Sequence, residues 1–428
     1  MSDATHRAIE AVWRIESAKL IAALARMTGD VGLAEDLAQD ALVAAFDQWP
    51  RDGVPNNPAA WLMQAAKRRA IDLHRRTAML DRKHAQIGHE LEAQQESAVP
   101  DLDAAIDDHV GDDLLGLIFM SCHPVLSKDA RVALTLRLLG GLSTDEIARG
   151  FLVPEATIAQ RIVRAKRTLS DAKVPFEVPR GEELSARLSS VLEVIYLIFN
   201  EGYSATSGDD LMRPALTEEA LRLGRILAGL APNEAEVHGL VALIELTASR
   251  AHARVDASGD PVLLMDQDRA RWDRLLIQRG LAGLARVEQL GGENGPYALQ
   301  AAIAACHARA RVASETDWAR IAELYSRLGV VAPSPVIELN RAMAVAMAAG
   351  PAAGLEIIDM LADSPALKAY YLLPAARGDL LERLERFSEA AAEFDRAASL
   401  TRNERERSLL SGRRDRLQRQ SNREPGEV

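Results

Sequence analysis

The chain has 428 residues, a formal net charge of −11 and two cysteines, and 48% of its residues are hydrophobic. This length predicts two or three domains with substantial cores. The acidic balance excludes a globally basic nucleic-acid binder, so any DNA contact must come from local basic patches. Cys122 and Cys306 fit no disulfide or metal-ligand spacing. Because no signal segment and no bilayer-length apolar window is visible, we expect a soluble, cytoplasmic protein.

Apolar residues recur three and four positions apart along nearly the whole chain, and the helix formers Ala, Leu, Arg and Glu dominate. No segment shows sustained strand alternation, so the sequence predicts an all-α protein. Clusters of acids and prolines divide it into four parts. We expect a first helical block at 1–83, an acidic linker at 84–112, a second block at 113–174 and a larger helical region at 184–428.

An acidic helix is predicted in the first block after Asp30, which is a good N-cap residue. Its apolar residues follow helical spacing. The opposite face carries Glu35, Asp36, Gln39 and Asp40. Acids near a helix N-terminus are favoured by the helix dipole, so a solvated acidic face explains these charges by itself.

A second helix of the first block should begin at Asn57 and Pro58, a strong N-cap and first-turn pair. Its later turns are basic and carry Lys67, Arg68, Arg69, Arg75 and Arg76. An aromatic ring beside cations is the combination that single-stranded nucleic-acid binders use, and Trp61 lies in this helix. The alternative is that Trp61 belongs to the core, since large aromatic residues are mostly buried.

The second block contains the pattern of a helix-turn-helix. Ser143 and Glu146 have the spacing of a capping box for one helix, and Pro154 suits the first turn of the next. The second helix has a predicted apolar stripe of Ile158, Ile162, Ala165 and Leu169. Off that stripe lie Gln160, Arg161, Arg164 and Arg167. A cationic helix after a short helix and a turn is typical of DNA recognition, and a solvated helix hairpin is the alternative.

The third region shows signs of helical repeats and no recognisable catalytic motif. Gly378, Ala390, Phe394 and Ala397 match the packing positions of a tetratricopeptide (TPR) helix pair. The acids from Asp266 to Asp273 alternate with arginines, which favours intrahelical ion pairs over a metal site. We therefore expect no enzymatic activity, no metal and no cofactor.

The order of these motifs resembles that of an extracytoplasmic-function (ECF) sigma factor. The resemblance covers 10–83, the second sigma region, and 113–173, the fourth. It includes Asn57-Pro58-Ala59-Ala60-Trp61-Leu62, then Ala70-Ile71-Asp72-Leu73-His74-Arg75-Arg76, and finally Arg164-Ala165-Lys166-Arg167. The third region resembles the TPR-like extension of one ECF group at 199–203, 266–273 and 301–307.

The resemblance implies partners and site residues. The acidic helix, with Glu35, Asp36, Gln39 and Asp40, would face core RNA polymerase, and the linker would thread the polymerase interior. Trp61, Lys67, Arg68, Arg69, Arg75 and Arg76 would bind the −10 element of promoter DNA. Thr157, Gln160, Arg161, Arg164 and Arg167 would bind the −35 element. One departure from the family is Leu152, which stands near the usual glycine of the helix-turn-helix.

The resemblance therefore implies a sigma factor whose C-terminal helical domain regulates or supports activity, through contact with its own sigma domains or with polymerase. Two other classes stay open from the residues. One is a one-component helix-turn-helix regulator with a helical sensor domain, which would bind duplex DNA without polymerase. The other is a TPR-type scaffold with no role on DNA.

Overall fold

The computed structural model describes the backbone of residues 2–85 and 110–421 and the side chains of residues 5–72 and 111–420. Helices make up most of these ranges, which confirms the all-α class. The chain forms two compact units, Met1–Ile195 and Tyr196–Val428. Most of the predicted linker lies outside the described residues. In the described ranges, no helix combines the length and the apolar character that a membrane span requires.

The first unit begins with three helices that pack together: α1 (Ser2–Thr28), α2 (Val31–Asp52) and α3 (Pro58–Ala85). Both predicted caps are confirmed. The Asp30 carboxylate accepts from the backbone N–H groups of Gly32 and Leu33 at 2.7 and 3.0 Å, and Asn57 accepts from Ala60 at 3.1 Å. Ile21, Leu24, Trp49 and Leu62 are buried in the core.

The next helices of the first unit are α4 (Val110–Ser121), α5 (Lys128–Leu138), α6 (Thr144–Phe151) and α7 (Glu155–Asp171). Helix α4 starts inside the predicted linker. Asp113, in the first turn of α4, is buried and forms an ion pair with Arg26 at 2.9 Å. The start of α4 is therefore part of the packed unit.

Helix α8 (Glu182–Tyr203) crosses the division between the two units. Its first half packs on the first unit, where the Ser190 hydroxyl donates to the Cys122 carbonyl at 2.6 Å and Arg187 donates to the Phe119 carbonyl at 3.2 Å. The division therefore falls within α8, whereas the sequence pattern places it before residue 184.

The second unit is a succession of helices in which each packs on its neighbours in the chain. They are α9 (Pro214–Leu230), α10 (Ala235–Ala248), α11 (Arg274–Gln289), α12 (Pro296–Arg309), α13 (Trp318–Val331), α14 (Pro335–Ala349), α15 (Pro351–Leu361), α16 (Leu372–Arg383), α17 (Phe387–Leu400) and α18 (Glu404–Ser421). Two short parallel strands, β1 (Ser207–Gly208) and β2 (Arg402–Asn403), join its beginning and its end.

The predicted TPR-like pair is confirmed as α16 and α17. Phe394 is fully buried and lies against Gly378, where an added Cβ would come within 3.0 Å of the ring. Ala390 and Ala397 are buried beside it. Glycine at 378 therefore lets the phenyl ring pack closely, and a larger residue would have to displace the ring.

The intrahelical ion pairs predicted for the Asp266–Asp273 segment are not formed, because the segment is a loop with one short 3-10 turn, Arg269–Arg271. Two of its acids act as caps instead. Asp268 accepts from the Ala270 N–H, and Asp273 accepts from two N–H groups at the start of α11. Arg269 is buried and donates to the carbonyls of His307 and Ala310 at 2.6 and 3.0 Å. The charges thus fix a loop on its neighbours.

Candidate nucleic-acid interface

Helices α6 and α7 form the predicted helix-turn-helix. Ser143 and Glu146 make a complete capping box at the start of α6. Leu152 ends α6 with a φ of 48°, the left-handed conformation that glycine adopts most readily. Pro154 is the N-cap of α7, one position before the predicted first turn. The whole predicted stripe of α7 is buried, so the opposite face of the helix is left for a partner.

The outer face of α7 carries the residues predicted to read the −35 element. Thr157, Gln160, Arg164 and Arg167 are exposed. Gln160 and Arg164 lie one helical turn apart and therefore point in nearly the same direction. Arg161 is half-buried and pairs with Asp129 at 3.1 Å, and Arg167 pairs with Asp171 at 3.5 Å. Within the described residues, Arg164 makes no ion pair.

The acidic face of α2 is divided between a buried and an exposed part. Glu35 is only 3% exposed, and its carboxylate pairs with Arg137 of α5 at 2.6 Å and with Lys166 of α7. Gln39 is half-buried and donates to Glu35 at 2.6 Å. The Asp36 and Asp40 side chains are 76% and 54% exposed. Glu35 is thus a packing contact in this structure, and the two aspartates remain accessible.

The electrostatics of Glu35 favour this contact. Burial alone would raise the pKa of Glu35, but the charges of Lys166 and Arg137 outweigh burial and hold the pKa below its ordinary value. Glu35 is therefore ionised at neutral pH. Since the folded-state pKa is lowered, the stabilisation that this carboxylate provides is present at neutral pH and is lost as the pH falls through the lowered pKa.

Further polar contacts join the helix-turn-helix to the first three helices. Arg14 pairs with Glu146 at 3.2 Å, and the Ser170 hydroxyl donates to Asp30 at 3.4 Å. The Ser170 and Lys166 contacts hold α7 against the start of α2, and the Arg14 contact joins α6 to α1. No local sequence pattern predicts these contacts, because each joins residues that lie far apart in the chain.

The basic helix α3 presents part of its predicted face. Trp61 is half-buried and makes an edge contact with the buried Trp49, with ring centroids 5.4 Å apart. Arg68 is exposed, Arg69 lies 3.7 Å from Asp40, and Lys67 is half-buried. The side chains of Arg75 and Arg76 lie outside the described residues. Trp61 therefore supports the core on one side.

Comparison with known proteins agrees with this arrangement. Residues 14–79 match the model of sigma-70 region 2, residues 117–169 match that of sigma-70 region 4, and residues 187–288 match a family of unknown function, DUF6596. Regions 2 and 4 in this order define a sigma factor of the sigma-70 class. The chain belongs to the ECF sigma factors and carries a helical C-terminal extension.

Relatives extend over different parts of the chain. Uncharacterized protein R00370 of Rhizobium meliloti (strain 1021) is 42% identical over 396 residues, which is 92% of each chain. The probable ECF RNA polymerase sigma factor SigI of Mycobacterium tuberculosis (strain ATCC 25618 / H37Rv) is 29% identical over 40% of this chain and 58% of its own length. ECF RNA polymerase sigma factor SigL of that strain is 28% identical over 34% of this chain and 76% of its own length. No solved structure matches the chain.

Proposed function

We propose that this sigma factor binds core RNA polymerase in the cytoplasm and directs it to specific promoters. The outer face of α7 carries the proposal. Its exposed Thr157, Gln160, Arg164 and Arg167 project from a helix-turn-helix whose apolar residues are already used in the core. A helix of this kind fits the major groove, where Arg and Gln side chains can distinguish base pairs.

Two other surfaces complete the proposed function. Exposed Arg68 and Arg69, with Lys67, Arg75, Arg76 and Trp61, bind the −10 element, while Asp36, Gln39 and Asp40 bind core polymerase. Glu35 joins that interface only after region 4 leaves α2, because Arg137 and Lys166 cover it here. The C-terminal helical domain regulates or supports this activity.

Transcription in a purified system tests the function. Protein and core polymerase together should give specific transcripts from a cognate promoter in a genomic template library. A gel shift with and without core enzyme separates the alternatives, because a one-component regulator would bind its duplex alone. Absence of any specific transcript across the library would contradict the proposal.

Arg164 and Arg167 should contribute differently to DNA binding. Arg164→Ala is expected to weaken −35 binding by about 1–3 kcal/mol and to relax preference at one base pair, because an unpaired guanidinium can reach a base edge. Arg167→Ala is the matched control. It should weaken binding to all DNA sequences evenly. It should also lower the slope of log affinity against log salt concentration by about 1, as expected for a phosphate contact. Affinities of the holoenzyme for promoters with single base changes measure both effects, and identical behaviour of the two variants would disprove this division of roles.

A further inference from the structure

A cavity in the second unit has the character of a ligand site. Helices α10, α12, α13 and α14 surround a space of about 270 Å³. Its apolar walls include Leu243, Leu246, Ile303, Leu328 and Ile337. This volume lies just below the range that most small-molecule sites occupy, roughly 300–1,000 Å³. The cavity therefore suits a small molecule with an apolar body.

The charge in the cavity comes from Arg250. None of the described lining residues is acidic. The Arg250 guanidinium lies near the rings of Tyr203 and Trp272, at 5.9 and 5.8 Å from their centroids, and is half-buried. In the described part of the chain it has no carboxylate partner and no hydrogen-bond acceptor. An anion that enters the cavity can therefore accept from the Arg250 guanidinium, and such a charge-assisted hydrogen bond is stronger than a neutral one.

Neighbouring arginines in the same unit do have partners. Arg225 pairs with Glu245 at 2.7 Å, and Arg269 donates to backbone carbonyls. Arg250 therefore differs from these two neighbours.

Neutral polar groups lie beside Arg250. The Nδ1 atom of His307 is buried and has no hydrogen-bond partner within the described residues. Burial, and then the charges of Arg250 and Arg269, lower the pKa of His307 to about 3, so its ring is neutral at pH 7. Burial raises the pKa of Tyr325 to about 12, so its hydroxyl keeps its proton. Both side chains can serve an anion as hydrogen-bonding groups without adding charge.

We propose that this cavity binds a small organic carboxylate, with the carboxylate on Arg250 and His307 and the apolar body between the leucine and isoleucine side chains. A guanidinium presents two parallel N–H donors that match a carboxylate. The site lies wholly within the second unit, so it does not depend on promoter recognition.

Isothermal titration of the full-length protein tests the proposal. The probes are linear monocarboxylates from butanoate to octanoate, with benzoate and phenylacetate, and the corresponding neutral amides. At least one carboxylate should bind with one-to-one stoichiometry and about tenfold more tightly than its amide. Failure of every carboxylate at millimolar concentration overturns the proposal, and so does equal binding of the amide.

Three variants locate the site. Arg250→Gln should weaken binding of the carboxylate by about tenfold or more. Because Arg250 also contacts two aromatic rings, thermal unfolding by circular dichroism checks its fold. Asn340→Asp places a negative charge among the lining residues at an exposed position and should weaken binding without disturbing the buried contacts. Arg309→Gln changes an exposed arginine of α12 outside the lining and should leave binding unchanged. Unaltered binding in Asn340→Asp and in folded Arg250→Gln overturns the assignment.

Discussion

Reversing two charges on α2, Asp36→Arg together with Asp40→Arg, is expected to abolish binding to core RNA polymerase and leave the protein folded. Both carboxylates are exposed, and their nearest cations, Lys166 at 4.0 Å and Arg69 at 3.7 Å, form weak surface pairs. Such pairs contribute about 0–1 kcal/mol, so the fold should tolerate the change. An acidic face suits a basic partner surface, so the two arginines would place like charges across the proposed interface. This costs several kcal/mol, which is enough to remove binding.

Two measurements are needed for this double variant. Anisotropy of a labelled protein titrated with core enzyme reports binding, and far-ultraviolet circular dichroism reports helix content. The matched control is Glu10→Arg with Asp52→Arg, which makes the same change of net charge at exposed acids elsewhere in the unit. An equal loss of binding in the control variant would show that the net charge of the protein governs its association with core enzyme. Binding retained in the Asp36 and Asp40 variant would mean that this face is a solvated surface.

Local signals in the sequence were sufficient for much of the fold. The caps at Asp30, Asn57 and Ser143 are formed by residues within three positions of one another, and the stripe of α7 depends on one helix alone. The Gly378 and Phe394 pair also follows from a short repeat pattern. Such features are visible in a sequence because their physical cause lies within a few turns of chain.

Contacts between distant segments were not visible. In the sequence, Glu35 belongs to the same predicted polar face as Asp36 and Gln39. Its burial depends on Arg137 and Lys166, which lie far along the chain. In the Asp266–Asp273 segment, charge alternation suggested a helix, but Asp273 followed by an apolar run is a cap signal that the pattern of charges obscured. The sequence also could not identify Arg250 as a cavity residue, because the residues that line the cavity come from segments far apart in the chain.

Ending the chain after Lys173 is expected to destabilise the first unit, whereas ending it after Ile195 should retain most of its stability. The segment between these ends carries Ser190, which accepts from Arg131 and donates to the Cys122 carbonyl, and Glu193, which pairs with Arg131 at 3.3 Å. Leu188, Val191 and Leu192 of this segment are also buried, so the shorter chain loses apolar burial as well as the contacts of Arg131. Full burial of one such side chain contributes about 1.5–3 kcal/mol, so the loss is a large part of the stability of a typical domain.

Thermal unfolding of the two truncated chains measures this difference, and a pair of substitutions in the full-length chain controls for truncation. Ser190→Ala should lower the unfolding temperature, while Ser189→Ala, whose hydroxyl is exposed and bonds within α8, should not. If both truncated chains unfold at the same temperature, the first half of α8 does not support region 4. If they differ as expected, any loss of transcription in the chain that ends at Lys173 is explained by damaged folding. The chain that ends at Ile195 is then the one that shows what the helical domain contributes to promoter-specific transcription.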